Sequence, residues 1–129
     1  MRLRIRKLSE EPGKDMTDEE FSDVNSVWAV LKRTDLTGFS SRIFRIEPGG
    51  HTALHTHDRE HVAVVISGIC RVEGEGKTRI VKAGSIIAVP TNFPHRFMNP
   101  GQEGLVLLIM NMFIGTEGPK VEGERYESH

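Results

Sequence analysis

From residue 24 onward the chain is a succession of short apolar or alternating runs: Val24–Lys32, Phe39–Ile46, Thr52–His55, His61–Ile66, Ile69–Val72, Thr78–Val81, Ile86–Val89, Phe97–Asn99 and Leu105–Phe113. Turn-forming residues separate them: Thr37-Gly38, Pro48-Gly49-Gly50, Ser67-Gly68, Gly74-Glu75-Gly76, Ala83-Gly84, Asn92-Phe93-Pro94 and Pro100-Gly101. Runs this short, punctuated about every 8–12 residues, predict strands of an all-β sandwich or barrel. Ahead of them, Arg2–Leu8 alternates charged and apolar residues and predicts a further edge strand, broken by Glu11-Pro12-Gly13. Thr17 with Glu20 three positions later has the form of a capping box and predicts one helical turn. No long amphipathic helix is legible anywhere.

A length of 129 residues fits one compact domain. We read it as a single barrel over residues 1–114, with the N-terminal strand as an arm. The remaining residues, 115–129, are rich in Gly and Glu and predict a flexible tail. Lys and Arg number 17 against 18 Asp and Glu, a net charge of −1, which supplies no field for gathering nucleic acid. No apolar stretch approaches the length of a membrane-spanning helix. MRLRIRKLSE at the start has no apolar core of a secretory signal. The single cysteine, Cys70, excludes an internal disulfide and reads as a small core residue. A cytoplasmic protein is the simplest expectation.

Histidine is the unusual component. Of six, four fall between residues 51 and 61. His55 and His57 are two apart, so on extended chain their imidazoles share a face. His61 joins them if the intervening Asp58-Arg59-Glu60 turn preserves the alternation. His95 follows Pro94 in a separate run, and barrel closure is what would carry it to the other three. A divalent ion needs neutral imidazoles converging from several strands. Surface histidines in a polar loop are the competing reading. His51 reads as a rim residue and His129 as solvated.

Two segments then resemble a known family. Residues 50–68, GHTALHTHDREHVAVVISG, resemble the first cupin motif, G-x5-H-x-H-x3,4-E-x6-G. Residues 84–99, GSIIAVPTNFPHRFMN, resemble the second, G-x5-P-x-G-x2-H-x3-N, with Gly84, Pro90, His95 and Asn99 in place. The resemblance covers residues 24–114 and implies a double-stranded β-helix, the jelly-roll barrel, with little helix. Three departures stand out. Gly50 lies one residue too close to His55, although Gly49 restores the spacing. Asn92 replaces the internal glycine of the second motif and tolerates the same left-handed backbone. At the acidic position the chain has His61, while Glu60 falls one residue early and, by strand parity, on the opposite face.

The resemblance therefore implies one divalent metal ion held by His55, His57, His61 and His95, with manganese or iron favoured and zinc or nickel as alternatives. Four neutral imidazoles leave the ion its full +2 charge, where three and a carboxylate leave +1. Such a site favours an anionic or chelating small-molecule substrate. By parity the wall includes Ala63, Val65, Phe97, Phe44 and Ile109, and Arg42 is the candidate catalytic cation inside it, with Arg45 as its rival. The first functional expectation is a dioxygenase or other oxidoreductase. A non-redox isomerase, cyclase or decarboxylase uses the same residues, and a non-catalytic binding or sensing barrel is the third reading. A homodimer is expected, the N-terminal strand covering a partner's sheet edge.

Overall fold

The computed structural model describes residues 5–18, 20–28, 39–54 and 60–112. Nine strands run through them: β1 (Lys14–Asp15), β2 (Ser22–Trp28), β3 (Phe39–His51), β4 (Glu60–Ser67), β5 (Ile69–Gly74), β6 (Lys77–Lys82), β7 (Ile86–Val89), β8 (Arg96–Met98) and β9 (Leu105–Met112). All pair antiparallel, in the order β6-β5-β8-β3-β9-β4-β7, with β2 also on β3 and β1 beyond it. The sheet curls on itself, as an antiparallel sheet must to hide one apolar face.

The alternation in the sequence becomes a ladder of side chains on the inner face. Cross-strand register sets Val24, Ile46 and Leu105 on one rung. Ser26, Phe44, Leu107 and Val65 form the next, and Trp28, Arg42, Ile109 and Ala63 the one after. Asn111 and His61 continue it. From the other half of the curl Cys70, Val89 and Phe97 close against the aliphatic members of this ladder, giving one core drawn from seven strands. Cys70 is fully buried there, and burial pushes its thiol up to about 12, in keeping with a packing role.

The strand β3 is longer than its sequence run. Pro48-Gly49-Gly50 does not turn the chain back but bends it across from one half of the curl to the other. Before the bend β3 pairs with β9; after it, His51 pairs with Met98 of β8. The Gly49 and Asn99 amides donate to Asn99 O and Gly50 O (2.9 and 3.0 Å), so the two histidine-bearing segments are tied to each other by backbone. Gly50 is needed for this approach, because a Cβ there would stand 2.6 Å from Ser22 O. Asn99 is buried; its amide donates to Ile46 O and Glu103 O and accepts from the Gly101 amide, which holds the following turn. Since β3 continues to His51, the run Thr52–Leu54 forms no strand.

Two other expectations change. The described part of the N-terminal run, Ile5–Leu8, forms no strand; a 3-10 turn occupies Leu8–Glu10 instead. Arg45 takes up its carbonyls, donating to Leu8 O (3.4 Å) and Glu11 O (2.8 Å), so the segment is held by a side chain rather than by a ladder. Among Thr17, Asp18 and Glu20 no helix forms, since β1 and β2 are antiparallel neighbours and the link between them must reverse; the Phe21 amide closes that turn onto Asp18 O. Asn92 adopts φ +59°, the left-handed backbone expected where the motif has glycine. The hairpin β5–β6 has the solvated outer strand that its charge predicts. Where it meets β8, partial burial pushes the Glu73 carboxyl up, but hydrogen bonds from Arg96 and the charges of Arg96 and Arg71 outweigh it and hold the group below its ordinary value. The segment 115–129, expected to be a tail, lies outside the described residues. None of the described helices is long and apolar enough to cross a membrane.

Candidate metal centre

His61 is the second residue of β4 and His95 immediately precedes β8. The curl brings these strands face to face, and both rings are buried with centroids 5.4 Å apart. The side chain of Phe97, two residues after His95 and on its face, packs at 5.4 Å as an apolar wall. Ala63 and Val65, two and four residues after His61, continue the wall on β4.

Each imidazole is oriented through Nδ1. The His61 Nδ1 is hydrogen-bonded to Oδ1 of Asn111, its cross-strand partner on β9. The His95 Nδ1 lies 2.8 Å from Phe93 O, within the turn that carries it. A carbonyl oxygen only accepts, so both rings must donate from Nδ1. Of the two neutral tautomers this selects the one with its lone pair on Nε2, the form in which imidazole ligates a metal. His61 Nε2 is itself buried. The two rings thus meet in one buried space.

His55 and His57 lie outside the described residues. The chain reaches them from a defined place, however. Thr52 donates its amide to Phe97 O (2.9 Å) and accepts the Phe97 amide on Oγ1 (3.0 Å), and Ala53 is buried. The described chain stops at Leu54, two residues past the Thr52–Phe97 pairing, and resumes at Glu60, the first residue of β4. Among the described residues no group of three or more His, Cys, Asp and Glu is placed to hold a metal ion. Glu60 is exposed, on the face of β4 opposite His61, as its parity predicts.

The two arginines part company. Arg42 lies on the inner face, on the same rung as Ile109 and Ala63. Its guanidinium stacks on Trp28, 4.4 Å from the ring centroid, with Phe44 at 5.9 Å. Arg45 takes the opposite face, donating to Asn25 Oδ1 as well as to the N-terminal carbonyls, and is a structural clamp. His51, on β3, has its Nδ1 at Thr52 O, away from the pair. Asn111 was the residue the motifs did not point to. Its signal was present: in LVLLIMNM it is a polar side chain at the parity of Leu105, Leu107 and Ile109.

A curled antiparallel jelly roll with inward histidines on two facing strands defines the class as a small β-barrel fold. The chain belongs to the cupin domain family, whose model matches residues 42–111. Among solved structures it is similar to the polyketide cyclase RemF from Streptomyces resistomycificus, with TM-score 0.76 and 19% identity, covering 92% of this chain and 90% of that one. A cupin-like protein from Thermotoga maritima gives TM-score 0.72 and 25% identity over 79% and 78% of the two chains. A predicted oxalate decarboxylase from the same organism gives 0.66 and 19% over 70% and 81%. None of the curated proteins matches the sequence.

Proposed function

We propose that this cupin is a metal-dependent enzyme, a dioxygenase or other oxidoreductase, acting on a small anionic or chelating organic molecule. His55, His57, His61 and His95 would hold one divalent ion, manganese or iron before zinc or nickel. The observation that carries the reading is the pair of buried imidazoles, each turned by an oxygen acceptor on its Nδ1, so that the neutral ring bears its lone pair on Nε2. The donor set fits a borderline divalent cation and leaves it its full charge. Bound there, the ion would supply Lewis acidity toward a chelating anion. The chain itself supplies orientation: Asn111 and the Phe93 carbonyl fix the rings, and Phe97, Ala63 and Val65 keep bulk water from the space between them.

The fold likeness to proteins named a cyclase and a predicted decarboxylase supports a second reading, non-redox chemistry at the same residues. Elemental analysis of protein purified without a histidine tag tests the first claim, with one equivalent of a divalent transition metal per chain expected. Oxygen uptake with a panel of catechols, 2-oxo acids and enolisable diketones separates the two chemistries. Turnover with zinc alone and without oxygen uptake selects the second; a metal content near zero after growth in metal-replete medium removes both.

Substituting Asn111 with leucine keeps the volume of the site but removes the acceptor on His61. Metal affinity is expected to fall about 10- to 100-fold, the usual effect of losing such a partner, as measured by competition with a chromogenic chelator. An unchanged affinity would show that the ring needs no help from β9. We further propose a cytoplasmic homodimer: the outward face of the sheet aligns Val62, Val64 and Leu108 beside Ile86, which is 71% exposed.

A further inference from the structure

Among the described residues, Arg42 is the half-buried arginine that the fold leaves without an anion. Arg45 is saturated by Asn25 and two carbonyls, and Arg71 and Arg96 share Glu73. Arg42 makes no such contact: its Nε is buried with no hydrogen-bond partner, and its neighbours are the aromatic faces of Trp28 and Phe44. Burial pulls its guanidinium below the ordinary value, yet arginine stays charged under all working conditions. With Nε shut off from water and the flat face taken by aromatic rings, the terminal N–H groups are what this arginine can offer to an incoming anion.

The geometry favours one kind of anion. Stacking on Trp28 uses the flat face of the guanidinium and leaves the N–H groups in its plane for a two-oxygen acceptor. Arg42 and Trp28 line a cleft of about 620 Å³, a volume suited to a small organic molecule, roofed by residues 11–18 of the N-terminal segment. Of the three acids of that roof, Glu11 faces Arg6 at 3.5 Å and Asp15 accepts from Asn25 at 2.9 Å, while Asp18 lines the cleft without an ion pair to Arg42. Arg6 also donates to Trp28 O at 2.7 Å, fastening the roof over the ring. Met16, half-buried against the core, adds apolar surface beside the cation.

We propose that Arg42 and Trp28 form a carboxylate subsite that grips the acid group of a small, apolar-bodied organic acid beneath the N-terminal segment. Neither His61 nor His95 lines this cleft, so the subsite does not rest on the metal. Arg42 is a binding residue in this role, two strands and one rung from His61.

Trp28 is the single tryptophan of the chain, so its fluorescence reports on the subsite directly. Full-length protein as purified is titrated with benzoate as the probe acid and benzyl alcohol as its neutral counterpart, with metal content measured in the same samples. A saturable change with benzoate, at least tenfold weaker with benzyl alcohol, is expected. Arg42→Met, which keeps the packing on Trp28, is expected to weaken benzoate about 10- to 100-fold with metal content unchanged. Arg42→Lys, which retains charge but not the fork, should fall between. Equal binding by wild type and Arg42→Met, or no saturable change in wild type, overturns the subsite. Benzoate binding lost in His95→Ala but kept in Arg42→Met also overturns it while sparing the metal reading. Arg42-dependent binding in protein that carries no metal upholds the subsite and removes the metal reading.

Discussion

The His95→Ala variant, purified without a tag, is expected to lose its bound metal while keeping its fold. Removing a ligand should lower affinity by at least about a hundredfold, the upper end of what loss of a ligand's hydrogen-bond partner costs. The structural penalty is smaller: one hydrogen bond to Phe93 O and a ring contact with Phe97 disappear, on the order of 1–2 kcal/mol in all. Metal content by elemental analysis and the thermal shift on adding metal give the two readouts. His51→Ala is the matched control, because His51 sits on β3 with its Nδ1 at Thr52 O and should leave metal content untouched. A His95→Ala protein with its full complement of metal would sink the proposed centre, and a loss shared by His51→Ala would make the effect a general one on the fold.

Substituting Leu107 with alanine is expected to be the most damaging single change to stability. Leu107 has no exposure and stands on β9 between Phe44 and Val65 of the neighbouring strands, facing the core from its middle. Deleting its isobutyl group loses the transfer free energy and opens a cavity between paired strands that do not readily close in. About 3 kcal/mol is expected, within the usual range for such truncations, or roughly 10 °C in melting temperature for a domain of this size. Leu108→Ala, one residue on but on the outward, half-exposed face, should cost less than about half as much. Chemical denaturation of both variants decides it; equal losses would mean that β9 does not present alternate residues to inside and outside.

Much of this was legible beforehand because β structure writes its burial into parity. The runs that became β2 to β9 were visible as apolar alternation between turn residues. The inward placement of Ala63 and Val65 after His61, of Phe97 after His95, and of Arg42 with Phe44 follows from a period of two. The outward placement of Glu60 was readable in the same way. The misreadings came where a local signal was answered by a distant partner. Pro48-Gly49-Gly50 has the composition of a hairpin turn, but Asn99, about fifty residues on, pairs with it and makes it a corner of a longer strand. Arg2–Leu8 has strand alternation, yet at its described end the Lys7 and Leu8 carbonyls accept the Glu10 and Glu11 amides, and Arg45 also donates to Leu8 O, where a neighbouring strand would have paired.

The sequence by itself determined an all-β sandwich or barrel and which residues face inward, because side-chain alternation and turn chemistry are local properties of the chain; the resemblance of its two histidine-bearing segments to the cupin motifs is what implied the jelly roll. Tertiary structure alone decided that the rings of His61 and His95 meet, that Asn111 and the Phe93 carbonyl set their tautomers, and that Arg42 rather than Arg45 faces the interior without an anion. Those facts depend on the register between strands distant in sequence, and register is settled only when the whole sheet curls and its inner face is buried at once.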